Sequence, residues 1–146
     1  MEDKGAPAVA GVHILDLPYC LDREFDYSIP SAMTGNVSVG CFVSVPFGRG
    51  DRQRLAVVTS VSCKSAHLSD GGAPVRLKAV SALCPGNISL DGGMMRVADY
   101  LCSRTLCTYG EAVRALIPSY ALTKLIPVLE PVPGAAVPSG FPFIIK

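Results

Sequence analysis

The stretch REFDYSIP, residues 23–30, decides the fold. Read as an extended strand, it sets Phe25, Tyr27 and Ile29 on one side and Glu24, Asp26 and Ser28 on the other. Pro30 stops the strand. Two aromatics on one side of a strand point to a core. The carboxylate between them, Asp26, is either the wet face of that strand or a group that touches a ligand.

The stretches around it carry the same period. Residues 8–17, AVAGVHILDL, are rich in Val, Ile and Leu and read as a buried strand, with LPYCLDR turning the chain into residues 23–30. A loop with a Thr34-Gly35-Asn36 turn leads to a third strand, CFVSVPFG (41–48), which sets Phe42, Ser44 and Pro46 against Cys41, Val43, Val45 and Phe47. GRGDRQR (48–54) is a glycine-rich basic turn, and LAVVTSVSC (55–63) completes a hairpin. A polar loop, KSAHLSDGGAPV, precedes a fifth strand-like segment, RLKAVSALC (76–84). The spacing of these strands favours a small barrel or sandwich of five to six strands.

The period then changes. Leu90, Met94, Val97, Ala98 and Leu101 recur at helical spacing, and Thr108-Tyr109-Gly110-Glu111 is a capping box opening a second short helix that Pro118 ends. The expected class is mainly β with α. Residues 1–7 read as a disordered leader. The Pro- and Gly-rich stretch from 120 to 146 reads as a linker or the truncated start of a next domain, which suggests a fragment of a longer protein.

Composition bounds the function. The chain has 146 residues, 49% of them hydrophobic and 17% charged, which is globular rather than disordered. The net charge of +1 lacks the strongly basic balance common among nucleic-acid binders. A nucleic-acid role would therefore need local clustering of Arg and Lys. No apolar run reaches the roughly 18 residues of a membrane span. No signal-peptide pattern opens the chain, so a reducing, cytoplasmic setting and free thiols are expected for the 6 Cys. No CxxC pair suggests zinc. Cys20, Cys41, Cys63 and Cys84 read mostly as small core residues. His13 reads as a satisfied core group, and His67 sits in a loop. No catalytic constellation is evident; a Cys-dependent enzyme is the weakest class. Arg49-Gly50-Asp51 spells an integrin-type tripeptide by chance.

In order, LPYCLDREFDYSIP, VGCFVSVPFGRG, LAVVTSV, LKAVSAL and VADYLCSRTLCTYGEAVRALIP resemble the N-terminal DNA-binding domain of the primosomal protein N′ family, bacterial replication-restart helicases. The resemblance covers about residues 9 to 119 and implies an OB-like barrel over residues 8–119. Three places depart from the family pattern: Cys20 replaces a proline, Val43-Ser44 replaces arginine-containing text, and Ser103-Arg104 replaces paired tyrosines. The missing arginine would weaken phosphate contacts from that strand. The helicase motor motifs, including GxxxxGK[ST], are absent. No enzymatic activity and no cofactor are therefore expected of this chain.

The resemblance implies recognition of the 3′ end of the nascent leading strand at stalled forks. Phe25 and Tyr27 would wall a pocket, and Asp26 would accept the hydrogen of a 3′-hydroxyl. Gly48 would allow close backbone approach, and Lys78 would supply charge for a phosphate. Arg49, Arg52 and Arg54 are candidates for further phosphate contacts or a solvated hairpin tip. Implied partners are DNA forks with 3′-hydroxyl ends and, through a full-length helicase, other primosome proteins and single-strand-binding protein, with nucleoid association and no membrane. The alternative is a β-barrel module that docks primosome proteins without touching DNA.

Overall fold

The computed structural model describes residues 8–62, 76–84 and 88–118. The expectations for residues 1–7, for Cys63 and the loop with His67, and for residues 120–146 lie outside these.

Five strands form one sheet: β1 (Val9–Ile14), β2 (Glu24–Ser28), β3 (Phe42–Phe47), β4 (Arg52–Ser62) and β5 (Ala82–Leu83). Their order is β2-β1-β4-β3-β5 and every pairing is antiparallel. The expected mainly-β architecture with two following helices is what the chain adopts. The strand at residues 23–30 alternates as its pattern requires: Tyr27 and Ile29 are buried, Phe25 is half-buried, and Glu24 and Asp26 are exposed.

The two ends of the sheet approach each other. Ser28 forms a parallel bridge with Ala79. The Ser28 N–H donates to the Lys78 carbonyl at 2.9 Å, and the Val80 N–H donates to the Ser28 carbonyl at 3.0 Å. The Ser81 N–H then turns to the Ser44 carbonyl on β3 at 2.9 Å. The seam is one bridge rather than a ladder, so the sheet curls in an OB-like manner without closing into a barrel. This also shortens the fifth strand, expected over 76–84. Its first half serves β2 and its second half serves β3, so only Ala82–Leu83 remains as a regular strand.

β3 and the middle of β4, Ala56 to Val58, are buried on both faces, and two cores result. Val12, Ile14, Tyr27, Val43, Val45 and Val58 fill the concave side. Leu15, Phe42, Val57, Leu90, Ala98, Tyr109 and Val113 fill the space between the sheet and two helices, α1 (Gly92–Arg104) and α2 (Tyr109–Leu116). Each fully buried Val, Ile or Leu contributes about 1.5–3 kcal/mol. Ser44, a buried polar residue of β3, is satisfied by donating to Gln53 Oε1 at 2.9 Å.

Both helices start at side-chain caps. Asp91 Oδ1 accepts from the Met94 N–H at 2.7 Å. The capping box at Thr108 is reciprocal: Thr108 Oγ1 accepts from the Glu111 N–H at 3.2 Å, and Glu111 Oε2 accepts from the Thr108 N–H at 2.8 Å. Gly110 sits between them because a Cβ there would strike the backbone of Leu15, where α2 rests on the end of β1.

Three local expectations change. The apolar face of α1 is Met95, Ala98, Leu101 and Cys102, which pack toward α2 and the sheet, whereas Met94 and Val97 are exposed. Cys20 is exposed, because it lies in a 3-10 turn (Tyr19–Leu21) outside both cores. The basic turn ends earlier than expected: β4 begins at Arg52, so Arg52 and Arg54 are strand residues.

Candidate functional site

The incomplete seam leaves an opening. Below the Ser28–Ala79 bridge, the outer edge of β2 and the segment 76–78 part around a cavity of about 250 Å³. Phe25, Asp26 and Tyr27 line it from β2. Pro46, Phe47 and Gly48 line it from the end of β3, and Arg76, Leu77 and Lys78 from the segment before β5. The Ser28 N–H and carbonyl point away from β1 toward this segment. By strand alternation, the backbone N–H and carbonyl of Asp26 point the same way, toward the cavity.

The apolar part of the wall is aromatic. Phe25 and Phe47 meet edge to face, with ring centroids 5.3 Å apart and planes at 73°. The Arg23 guanidinium lies 5.0 Å from the Phe25 ring centroid. Tyr27 is buried, and its hydroxyl donates to the Pro46 carbonyl at 3.0 Å. Burial pushes its phenol up from the ordinary tyrosine value, and the negative charge of Asp51 adds to the effect. Tyr27 therefore stays neutral, a wall whose one polar hydrogen is committed to the chain.

The polar part is a turn pinned by a lysine. Lys78 Nζ donates to the Gly48 carbonyl at 2.6 Å and to Asp51 Oδ1 at 2.6 Å. Gly48 has φ 76 and Asp51 has φ 46, both in the left-handed region. Glycine enters that region freely, and Asp is among the few other residues that tolerate it. A Cβ on Gly48 would meet no described atom within 4 Å, so φ selects glycine there and the space beside it stays open. The rim thus mixes two acids, Asp26 and Asp51, with two cations, Arg76 and Lys78.

The five residues expected to bind a DNA end, Phe25, Asp26, Tyr27, Gly48 and Lys78, all line this one cavity. Arg49, Arg52 and Arg54 do not line it. Arg49 is exposed in the turn, Arg52 pairs across β3 with Phe47, and Arg54 Nη1 lies 3.7 Å from Asp16 Oδ2, a carboxylate that Arg114 also engages. Sequence reasoning missed Phe47 and Arg76. Phe47 read as one more alternating core residue. Arg76 stands two residues before Lys78, a spacing that in an extended segment puts both on one side and could have drawn attention to it.

Other chemistry-bearing groups serve the fold. His13 stacks on Tyr109 with ring centroids 4.4 Å apart. Asp22 Oδ1 lies 3.5 Å from His13 Nδ1, and Asp22 Oδ2 accepts from the Tyr109 N–H at 2.6 Å. Burial pushes the thiols of Cys41 and Cys84 up, and that of Cys102 up to about 11 with Cys107 adding to the rise. Among the described residues, no group of three or more His, Cys, Asp and Glu side chains is placed to hold a metal ion. No described helix is long and apolar enough to cross a membrane.

The family model of the PriA 3′ DNA-binding domain (3′BD) matches residues 14–118. The chain is also 30% identical over 118 residues to the Replication restart protein PriA of Bacillus subtilis (strain 168). That alignment covers 81% of this chain and 14% of the relative, so the chain spans about 14% of the length of the curated protein it matches. The matched stretch runs from the end of β1 to Pro118, two residues past α2, and so contains every element that lines the cavity. On this match the chain belongs to the family of PriA 3′ DNA-binding domains.

Proposed function

We propose that this chain captures the 3′-terminal nucleotide of a DNA strand in the cavity between β2, the β3–β4 turn and residues 76–78. The observation that carries this reading is the convergence of an aromatic pair, Asp26, a left-handed glycine and a lysine on a single cavity. Its volume of about 250 Å³ lies below the roughly 300–1,000 Å³ of common small-molecule clefts. That suits one nucleoside rather than a continuous oligonucleotide.

Each component has a task. The base meets Phe25 and Phe47, and aromatic stacking of this kind contributes about 1–3 kcal/mol per base without regard to sequence. The Asp26 carboxylate accepts the hydrogen of a free 3′-hydroxyl. An internal nucleotide brings a phosphate to that place instead, and two anions repel. Backbone groups of Asp26 and Gly48 face the nucleotide at close range. Lys78 and Arg76 offset the charge of the terminal phosphodiester. The near balance of acids and bases on the rim keeps non-specific attraction low, so binding depends shallowly on salt.

In a replication-restart protein the natural ligand of such a site is the 3′ end of the nascent leading strand at a stalled fork. In this reading the binding domain is residues 8–119 and carries no ATPase or helicase chemistry. Contacts with other primosome proteins and single-strand-binding protein belong to a full-length helicase acting on the nucleoid in the cytoplasm. Fluorescence anisotropy with primer ends carrying a 3′-hydroxyl or a 3′-phosphate tests the reading. The hydroxyl end is expected to bind at least several-fold tighter. Equal binding of the two ends would contradict it and would favour a protein-docking role.

A further inference from the structure

The lysine of the cavity already holds an anion that belongs to the chain. Lys78 Nζ stands 2.6 Å from Asp51 Oδ1, and Asp51 sits in the exposed β3–β4 turn. Both side chains are accessible, at 45% for Lys78 and 67% for Asp51. An accessible pair of this kind is held weakly and can open to a competing ligand. Asp51 adopts φ 46, a left-handed backbone that Asp tolerates and that holds its carboxylate within reach of Lys78. Its charge also reaches inside: burial pushes the phenol of Tyr27, at the back of the cavity, up, and the negative charge of Asp51 adds to the rise.

We propose that Asp51 is a resident competitor for Lys78, exchanged for a phosphate when a nucleic-acid end enters the cavity. In the free domain the carboxylate neutralises the lysine and holds the turn against residues 76–78. A strand end carries a phosphate one nucleotide in from its terminus, and that phosphate takes the place of the carboxylate on Nζ. The Gly48 carbonyl keeps its own bond to Nζ through the exchange, so the lysine stays anchored. A ligand that reaches the cavity without a phosphate in register meets a rim with no net attraction. The residue thus trades affinity for selectivity, in the same sense as Asp26. This rests on the 3′-end reading for the identity of the ligand, but the exchange itself requires only a phosphate at Lys78.

The test is Asp51→Asn in the 146-residue chain. Asn keeps an oxygen to accept from Lys78 and tolerates the left-handed backbone, so only the charge is lost. Asp51→Gly, also at home at that φ, serves as a second variant. Anisotropy with a 3′-hydroxyl oligonucleotide is expected to show about 3- to 10-fold tighter binding for Asp51→Asn at low ionic strength, a gain that shrinks as salt is raised. The same substitution made together with Lys78→Gln is expected to change affinity less than about 2-fold relative to Lys78→Gln alone. A gain of equal size in both backgrounds would assign the effect to long-range charge and overturn the exchange. Unchanged or weaker binding of Asp51→Asn and Asp51→Gly would overturn it as well. The two readings separate cleanly. A wild-type preference for the hydroxyl end with no effect of Asp51 removes the exchange alone. A Lys78-dependent gain without any end preference removes the 3′-end reading alone. A wild-type chain that binds no oligonucleotide sinks both.

Discussion

The Tyr27 hydroxyl donates to the Pro46 carbonyl, 3.0 Å away across the cavity floor. This bond ties β2 to the end of β3 and commits the phenolic hydrogen to the protein. Tyr27 is therefore a wall and not a donor to ligand. Tyr27→Phe is expected to cost about 0.5–1.5 kcal/mol of stability in urea unfolding while leaving 3′-end preference intact. A loss of preference with unchanged stability would show that the hydroxyl serves the ligand instead.

Phe25 is only half-buried and faces Phe47 edge to face. Phe25→Ala is expected to weaken binding by about 1–3 kcal/mol, similarly for every terminal base, because the lost contact is stacking. Titrations with four oligonucleotides that differ only in the last base check this. A loss confined to one base would point to hydrogen-bond readout.

Tyr109 is 5% exposed, and among the described residues its hydroxyl has no hydrogen-bond partner. Burial, with smaller additions led by Asp99, pushes its phenol up from 10.0 to about 12. A folded value above the unfolded one gives stability that is complete below pH 10. It is lost as pH rises through about 12. Tyr109→Phe removes an unsatisfied buried hydroxyl, so it is expected to be neutral or stabilising at pH 7 and to flatten the loss of stability between pH 10 and 12. Cys102, raised from 9.0 to about 11, titrates in an overlapping alkaline window and leaves a residual slope. Thermal melts across that range read both effects.

Asp22 joins the turn before β2 to the first residue of α2 by accepting from the Tyr109 N–H at 2.6 Å. Asp22→Ala is expected to cost about 1–2 kcal/mol of stability, the range for losing a helix-end partner, with no change in end preference. A shift in preference would mean that the helices, which lie apart from the cavity, act on it.

Much of this was legible in the chain. The alternation at residues 24–29 placed Tyr27 inward and Asp26 outward, because a half-buried strand leaves no other register. The capping box at Thr108 could be read because its two hydrogen bonds join residues three apart. What stayed hidden depends on long-range pairing. The pairing of Lys78 with Asp51 spans 27 residues, and no local pattern announces it. Arg54 read as part of a turn, but β4 begins two residues earlier and its side chain lies near Asp16. The exposure of Met94 and Val97 follows from how α1 settles on α2, which helical periodicity alone leaves open by one turn of the wheel.

The central claim is that the Asp26 carboxylate reads the terminal hydroxyl, and a pair of otherwise identical ends tests it most directly. One carries a 3′-hydroxyl and the other a 3′-hydrogen, and each is titrated against the wild-type chain and Asp26→Ala. The account predicts that wild type favours the hydroxyl end by roughly 10-fold, the scale of one hydrogen bond to a charged group, and that Asp26→Ala binds both ends alike. Wild-type protein that binds the two ends equally, or an Asp26→Ala chain that keeps the preference, would contradict it.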